Sequence, residues 1–237
     1  MFNNVVHDII ETNDGRLFIS SYDALDQYNY DSDDFNHYPI NSDDSSSINQ
    51  SYIISVFEDS RNNLWIGTNK GLGLYHEKEK FSLIFTTSQG LPGNIIKGIT
   101  EDRHNNLWIS TDKGLSKFIN GTYLQKPSVF VNFTDLDGLA GNEFISRSVF
   151  QDKSGIMYFG TSQGYTYFHP DSIFLNTTPP KVIFSEMQIL LPFADKNSDT
   201  KRIISNVNTL DKLKLTYHKS DFLIKFAALN YLSLIHI

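Results

Sequence analysis

The sequence has no cysteine, and this absence excludes disulfide bonds and thiolate metal ligands. It also has no basic block: 20 Lys and Arg stand against 27 Asp and Glu, for a net charge of −7. Because binding to a phosphate backbone needs clustered cations, nucleic acid is not a predicted partner. No apolar run reaches the roughly 18 residues of a membrane span, and the first twenty residues lack the basic start and apolar core of a signal peptide.

Aromatic residues, by contrast, are abundant, with 18 Phe and 12 Tyr among 237 residues. These side chains suit pleated, half-buried strands, so the composition favours strands over helices. The length is compatible with one large all-β domain or with two domains of ordinary size.

Four copies of one motif recur along the chain. Each copy places an aromatic residue within an apolar run, at Phe18, Trp65, Trp108 and Tyr158. Six residues after the aromatic, three copies have a glycine: Gly71, Gly114 and Gly164. Six residues before it, three copies have an acid, Asp59, Asp102 and Asp152, and the first has Thr12. Three residues before it stands Gly or Asn in every copy, as a tight turn requires.

The runs between these positions predict about four short strands per copy. Four strands in a repeat of about 43 to 50 residues are typical of a β-propeller blade. The predicted fold is therefore all-β, with four blades that are part of a larger propeller, at about 1–48, 49–90, 91–137 and 138–175. The two Trp residues are predicted to be spacers between blades, and the recurring Asp residues to hydrogen-bond turn amides.

At these residues the chain resembles the two-component regulator propeller repeat, approximately N-x-I-x-x-I-x-E-D-x-x-G-x-L-W-I-G-T-x-x-G-L. The second copy matches from Asn49 to Leu72 and the third from Asn94 to Leu115. The fourth copy resembles the closing blade in the sensor region of hybrid two-component histidine kinases. Residues 176–180 resemble the hinge into a Y_Y_Y domain, and 181–237 a partial β-sandwich of that type, although the final LSLIHI does not align and is a candidate for a foreign segment.

The resemblance implies a fragment of the extracytoplasmic, periplasmic ligand-sensing region of a bacterial hybrid two-component sensor. The implied ligand is an oligosaccharide derived from a polysaccharide, with the signal passing through the Y_Y_Y domain. Missing blades and the membrane and kinase portions of the same receptor are the implied partners, and the full-length receptor is expected to be a homodimer. The fragment is not predicted to be an enzyme, and no cofactor or metal site is predicted.

A lyase-type propeller enzyme and a protein-interaction propeller are the alternatives. An enzyme would need His, Glu and Lys clustered on one face and contributed unequally by the blades, and the Y_Y_Y-like segment favours sensing over both. The G-x-S-x-G match at 160–164 would need a strand-to-helix turn to expose Ser162, whereas the repeat register places it in a strand-to-strand hairpin.

Ligand residues are expected on one face of the propeller, in the links 90–95 and 138–144 and the Gly turns beside them. Polar residues there that differ between copies are the candidates: Asn142, Glu143 and Arg147, with capping of the blade as their competing role. The fourth copy offers no apolar outer strand comparable to those of the second and third. We therefore expect exposed apolar faces on the first and last blades.

Overall fold

The computed structural model describes residues 5–22, 24–39, 52–76, 80–124, 127–173, 181–190, 201–205 and 222–229. The chain divides into two compact units, one holding the described residues up to 173 and the other those from 181 onward. The predicted hinge at 176–180 and the terminal LSLIHI lie outside the described residues. The described secondary structure consists of strands and three short 3₁₀ helices. No helix among the described residues is long and apolar enough to cross a membrane. The all-β prediction is confirmed.

The first unit contains four antiparallel sheets, each built from consecutive strands. The first sheet runs β1-β2-β3-β4, with bounds Val6–Glu11, Leu17–Ser21, Ala24–Asn29 and Asp34–Pro39. The second runs β5-β6-β7-β8, with bounds Ile53–Glu58, Leu64–Thr68, Leu72–His76 and Lys80–Phe85. The third runs β9-β10-β11-β12, with bounds Ile96–Glu101, Leu107–Thr111, Leu115–Ile119 and Val129–Phe133. The fourth has three strands among the described residues, β13-β14-β15, with bounds Phe144–Gln151, Met157–Thr161 and Gly164–Phe168.

These meanders are propeller blades, and their first hairpins are tight because the turn residue adopts positive φ. Asn62 and Asn105 each have a φ of 62°, and Gly15 and Gly155 have φ of 81° and 90°. Glycine and asparagine enter this region at the least cost. In each turn the N–H of this residue donates to the carbonyl oxygen three residues earlier, at 2.8 to 3.0 Å. The predicted turn positions are confirmed in all four copies.

Three apolar clusters fill the spaces between successive sheets. Phe18 lies in the cluster shared by the first and second sheets, Trp65 in that of the second and third, and Trp108 in that of the third and fourth. All three side chains have 0% exposure. Each central aromatic therefore packs against the sheet that follows it, and burying such a side chain removes about 150–250 Å² of surface from water.

The outward faces of the first and fourth sheets expose apolar side chains instead. Ile9 of the first sheet is 59% exposed, and Phe150 and Tyr165 of the fourth are 63% and 61% exposed. Tyr158, the counterpart of the buried Trp residues, stacks on Tyr167 of its own sheet, with ring centroids 5.9 Å apart. Exposed apolar surface on the first and last blades is what the repeat pattern predicts.

The second unit contains a three-stranded antiparallel sheet in the order β17-β16-β18. Its strands are Lys181–Leu190 (β16), Lys201–Ser205 (β17) and Phe222–Leu229 (β18). Lys225 Nζ lies 3.3 Å from Glu186 Oε2 across the pair of β16 and β18. Three strands thus lie in the predicted partial sandwich, and its assignment to the Y_Y_Y type stays a prediction.

Candidate functional site

The first strands of the four sheets pack side by side, β1 against β5, β5 against β9, and β9 against β13. Each has an irregularity near its start, where the strand holds more residues than its neighbour can pair. One residue is extra in each of the first three strands, His7 in β1, Ile54 in β5 and Lys97 in β9. In β13 the irregularity is longer and extends between Phe144 and Val149. Such bulges re-aim side chains and are common beside functional sites.

The bulge residues of all four strands line one cavity of about 120 Å³. The bulge residue is of a different type in each blade, whereas the strand that carries the bulge recurs in every blade. We term this space the axial cavity; it is lined by His7, Tyr52, Ile54, Lys97, Ser146 and Arg147.

The axial cavity lies near the ends of the inner strands at which the links between sheets enter. In the third sheet, Ile95 N donates to Asp112 Oδ1 at 3.3 Å, so the link into β9 lies beside the second hairpin. In the fourth sheet, Ser162 N donates to the carbonyl oxygen of Glu143 at 3.3 Å, so the link into β13 also lies beside the second hairpin of its sheet. Links and second hairpins therefore share a face, as the sequence predicts. Ser162 lies in a strand-to-strand hairpin, also as predicted.

Two tyrosines and a histidine form an aromatic group at this site. The rings of Tyr22 and Tyr52 are stacked, with centroids 5.1 Å apart and an interplanar angle of 12°. The His7 ring meets them edge-on, at 6.2 Å and 6.1 Å. His7 Nδ1 lies 2.5 Å from the carbonyl oxygen of Ile53, which can only accept, so Nδ1 carries a proton. Tyr22 is 53% exposed, which leaves part of this aromatic surface open.

Two cationic side chains line the cavity, Lys97 from β9 and Arg147 from β13. Among the described residues, the ion pairs involve neither of them. Arg147 Nη1 donates to the carbonyl oxygen of His7 and so joins β13 to β1. Arg147 also has a φ of 61°. A side chain held in this left-handed region costs about 1 kcal/mol or more, and such strain is concentrated at functional positions.

The three predicted ligand residues lie in different settings. Arg147 lines the axial cavity, whereas Asn142 and Glu143 are not among its lining residues. Asn142 fastens the preceding link, because its Oδ1 accepts from Asp135 N at 2.8 Å and its Nδ2 donates to Asp135 Oδ1 at 2.9 Å. Asn94 accepts a matching hydrogen bond of 2.8 Å in the link before the third sheet. Glu143 is exposed on the loop face.

Sequence reasoning missed His7, Tyr52 and Lys97. A signal was present, because the residue after the first apolar position of the inner strand is His, Ile or Lys in the first three copies, whereas that apolar position itself is Val or Ile in each. A regular strand places this residue on one fixed face, however, and only the bulge directs it into the cavity.

The recurring acids have a structural role, in which each closes a turn and holds the central aromatic. Asp102 Oδ2 accepts from Trp108 Nε1 at 3.0 Å. Its Oδ1 accepts from the backbone N–H groups of His104 and Asn106, at 2.9 Å and 3.0 Å. Asp59 makes the same contacts in the second sheet. The prediction that these carboxylates bind turn amides is confirmed, and the bond to the indole is an addition that the sequence reasoning did not include.

The outer two copies show why the acid and the aromatic belong together. In the fourth sheet, the Tyr158 hydroxyl donates to Asp152 Oδ2 at 3.4 Å. The hydrogen bond from the Ser154 hydroxyl, followed by those from backbone N–H groups, holds the pKa of Asp152 below its ordinary value. In the first sheet the aromatic is Phe18, which has no polar hydrogen, and Thr12 replaces the acid.

A wider depression of about 500 Å³ lies toward the other ends of the inner strands. Its lining includes Glu101, whose carboxylate accepts from Ser60 N and from the Ser60 hydroxyl, each at 2.7 Å. Glu58 accepts from Asn13 N in the same way, at 2.7 Å. These carboxylates fasten the second and third sheets to the turn of the preceding sheet, so this depression is part of the blade-to-blade framework.

Comparison with known proteins agrees with this geometry. Residues 47–70 and 90–113 match the family described as two component regulator propeller. Histidine kinase P4 of Formosa agariphila is 28% identical over 179 residues, which is 76% of this chain and 10% of that protein. The extracellular domain of the hybrid two-component system BT3049 of B. thetaiotaomicron superimposes with a TM-score of 0.78 and 23% identity, over 96% of this chain and 30% of that one. For the extracellular domain of BT4673 the values are 0.55 and 21%, over 81% and 25%.

Two segments of the chain therefore match two-component regulator propeller repeats, and the fold is similar to that of these extracellular domains. It spans about a tenth of the length of the histidine kinase that it matches.

Proposed function

We propose that this chain, with its two-component regulator propeller repeats, is part of the periplasmic ligand-sensing region of a bacterial hybrid two-component sensor. Its ligand would be an oligosaccharide derived from a polysaccharide. The bound state would be passed through the second unit, as a Y_Y_Y domain, toward a membrane span and a histidine kinase. Further blades of the same receptor and a second receptor copy would be its partners.

The axial cavity is the observation that carries this proposal. Its lining differs between blades while the framework around it is repeated, as expected where one fold presents a specific site. Sugar rings combine apolar faces, which pack on aromatic rings, with hydroxyl groups, which need polar partners. The stacked Tyr22 and Tyr52 supply the first, and His7, Lys97 and Arg147 supply the second.

The exposed faces of the first and fourth sheets support the proposal that further blades pack here. Ile9 and Phe150 lie in the first strands of the outer sheets and are exposed, whereas the corresponding strands of the second and third sheets have a neighbouring sheet on both sides. A large exposed apolar face commonly marks an interaction surface.

The proposal is tested by titrating the 237-residue chain with a panel of neutral and acidic oligosaccharides by calorimetry. We expect at least one to bind, and Tyr22→Ala to weaken that binding about tenfold, the effect of losing roughly 1.4 kcal/mol. Tyr30→Ala is the matched control, because Tyr30 is 63% exposed and packs on Tyr28 away from the cavity lining. In a receptor reporter strain, Tyr22→Ala should also reduce oligosaccharide-induced transcription.

Binding by no member of the panel would contradict the sensing proposal. Equal affinity in wild type and Tyr22→Ala would show that oligosaccharide binds at another site.

A further inference from the structure

We propose that the axial cavity binds the acidic group of its ligand, a carboxylate or sulfate carried on a sugar ring. This inference rests on the proposed function and narrows it to acidic oligosaccharides. The group would be held between Lys97 and Arg147, at the point where the four inner strands converge.

The charge of the cavity is opposite to that of the chain. The protein has 27 acidic and 20 basic residues, yet the side chains lining the cavity include the cations Lys97 and Arg147 and the imidazole of His7, with no carboxylate among them. In an acidic protein, two cations that lack an acidic partner among the described residues form a local site for an anion. Two fixed cations with no carboxylate beside them favour a charged group over the hydroxyl groups of a neutral sugar, which the hydroxyl groups of Tyr52 and Ser146 alone could bind.

The geometry of Arg147 suits an acidic group in particular. One of its guanidinium nitrogens is fixed by the carbonyl oxygen of His7, which limits the rotation of the side chain. A guanidinium has five N–H donors in a planar fork, so donors remain for the paired oxygens of a carboxylate or sulfate. Fixing the fork in advance reduces the entropy lost on binding.

The backbone at Arg147 gives a second, independent observation. The bulge in β13 holds four residues between the positions paired with β14, where the bulges in β1, β5 and β9 each hold one. Arg147 has a left-handed φ of 61° within this longer bulge, at a position where glycine would be unstrained. The fourth blade therefore maintains a strained arginine that lines the cavity.

The size of the cavity limits what enters it. A volume of about 120 Å³ is smaller than the roughly 300–1,000 Å³ of a site that encloses a drug-sized ligand. It admits an acidic substituent with part of its ring, while the rest of the oligosaccharide lies outside. The stacked pair of Tyr22 and Tyr52, with Tyr22 half exposed, is positioned to contact that outer part.

The test compares four probes on the 237-residue chain: galactotriose, trigalacturonate, galactotriose carrying 6-sulfate groups, and inorganic sulfate. We expect at least one acidic trisaccharide to bind ten times more tightly than galactotriose, and its affinity to fall as NaCl is raised. The two acidic probes distinguish a carboxylate from a sulfate ligand.

Lys97→Met and Arg147→Gln should each reduce the affinity for the acidic trisaccharide about tenfold or more, as expected for a lost charge-assisted hydrogen bond. Lys153→Met is the matched control, since it removes the same charge from an exposed residue in the turn between β13 and β14, outside the cavity lining. A thermal melt of each variant checks that it is folded.

Equal affinity for galactotriose and the acidic trisaccharides would overturn this inference and leave the sensing proposal standing. Unchanged affinity in both cavity variants would overturn it as well. Binding of inorganic sulfate as tight as that of the sulfated sugar would show an anion site without sugar recognition, also against it. Binding by none of the three trisaccharides would refute it, while the wider panel decides on sensing.

Discussion

The hydrogen bond between Asp102 and Trp108 predicts that substitutions at the two positions have non-additive effects on stability. The first copy of the repeat differs at both of these positions. We consider Asp102→Thr, Trp108→Phe and the double variant, which recreates in the third sheet the Thr12 and Phe18 of the first. Trp108 is 0% exposed and Asp102 3% exposed, so neither polar group can turn to water when its partner is removed.

The expected costs follow from the hydrogen bonds present. Trp108→Phe removes a donor 3.0 Å from the carboxylate, and hydrogen bonds to charged groups contribute about 1.5–3 kcal/mol. Asp102→Thr removes the acceptor of the Asn106 side-chain amide, at 2.9 Å, and leaves the indole N–H buried without it, a penalty of about 1–3 kcal/mol. In the double variant no indole N–H remains, so that penalty disappears.

The double variant should therefore be less destabilised than the sum of the single variants, by about 1–2 kcal/mol. Guanidinium chloride unfolding, followed by circular dichroism, measures the free energy of unfolding of each protein. Trp65→Phe combined with Asp102→Thr is the control, because Trp65 bonds to Asp59 instead. Single-variant costs that add to within about 0.5 kcal/mol would refute the reasoning.

Three further predictions concern backbone strain, acid stability and association. Gly114→Ala should lower Tm more than Gly164→Ala. The backbone φ is similar at the two sites, 140° and 143°, but only at Gly114 would the new Cβ meet the Phe133 carbonyl oxygen, at 2.6 Å. Equal losses of Tm would mean that backbone strain alone sets the cost. Burial raises the pKa of Asp171, but the hydrogen bond from His104 and the charge of Arg103 outweigh it and hold that pKa below its ordinary value. The stability that this carboxylate contributes is thus present above its unfolded-state pKa and is lost as pH falls through the folded-state pKa. Asp171→Asn should therefore flatten the acid limb of a plot of unfolding free energy against pH. An unchanged acid limb would contradict this prediction. The exposed apolar faces of the first and fourth sheets should make the 237-residue chain associate in light scattering, and a monodisperse, cooperatively melting monomer would contradict this.

The blade architecture could be predicted because it depends on short-range rules repeated four times. A glycine or asparagine three residues before the aromatic fixes each hairpin, and the structure has positive φ at all four of these positions. Trp65 and Trp108 lie between sheets because an apolar triplet in a middle strand is covered on both faces. Repetition strengthened each of these inferences, since an accidental match would not return at a fixed spacing.

The candidate site could be predicted only in part, and Arg147 and Asn142 show why. Both are polar and near the start of the fourth inner strand, so they were equally good ligand candidates before the structure was known. Asn142 uses both its amide oxygen and its amide nitrogen in hydrogen bonds to Asp135, whereas Arg147 lines the cavity. Which of two neighbouring polar residues closes a local turn depends on geometry that residue types do not specify.

The sequence by itself determined the number of blades, their turns and the aromatic that separates them, because these depend on residues within about one repeat of each other. Only the tertiary structure decided the axial cavity. His7 and Arg147 are 140 residues apart, and stacking of four sheets is needed to bring them together. A bulge then turns each of these side chains off the alternating pattern of its strand, and one extra residue in a strand leaves no distinctive local sequence.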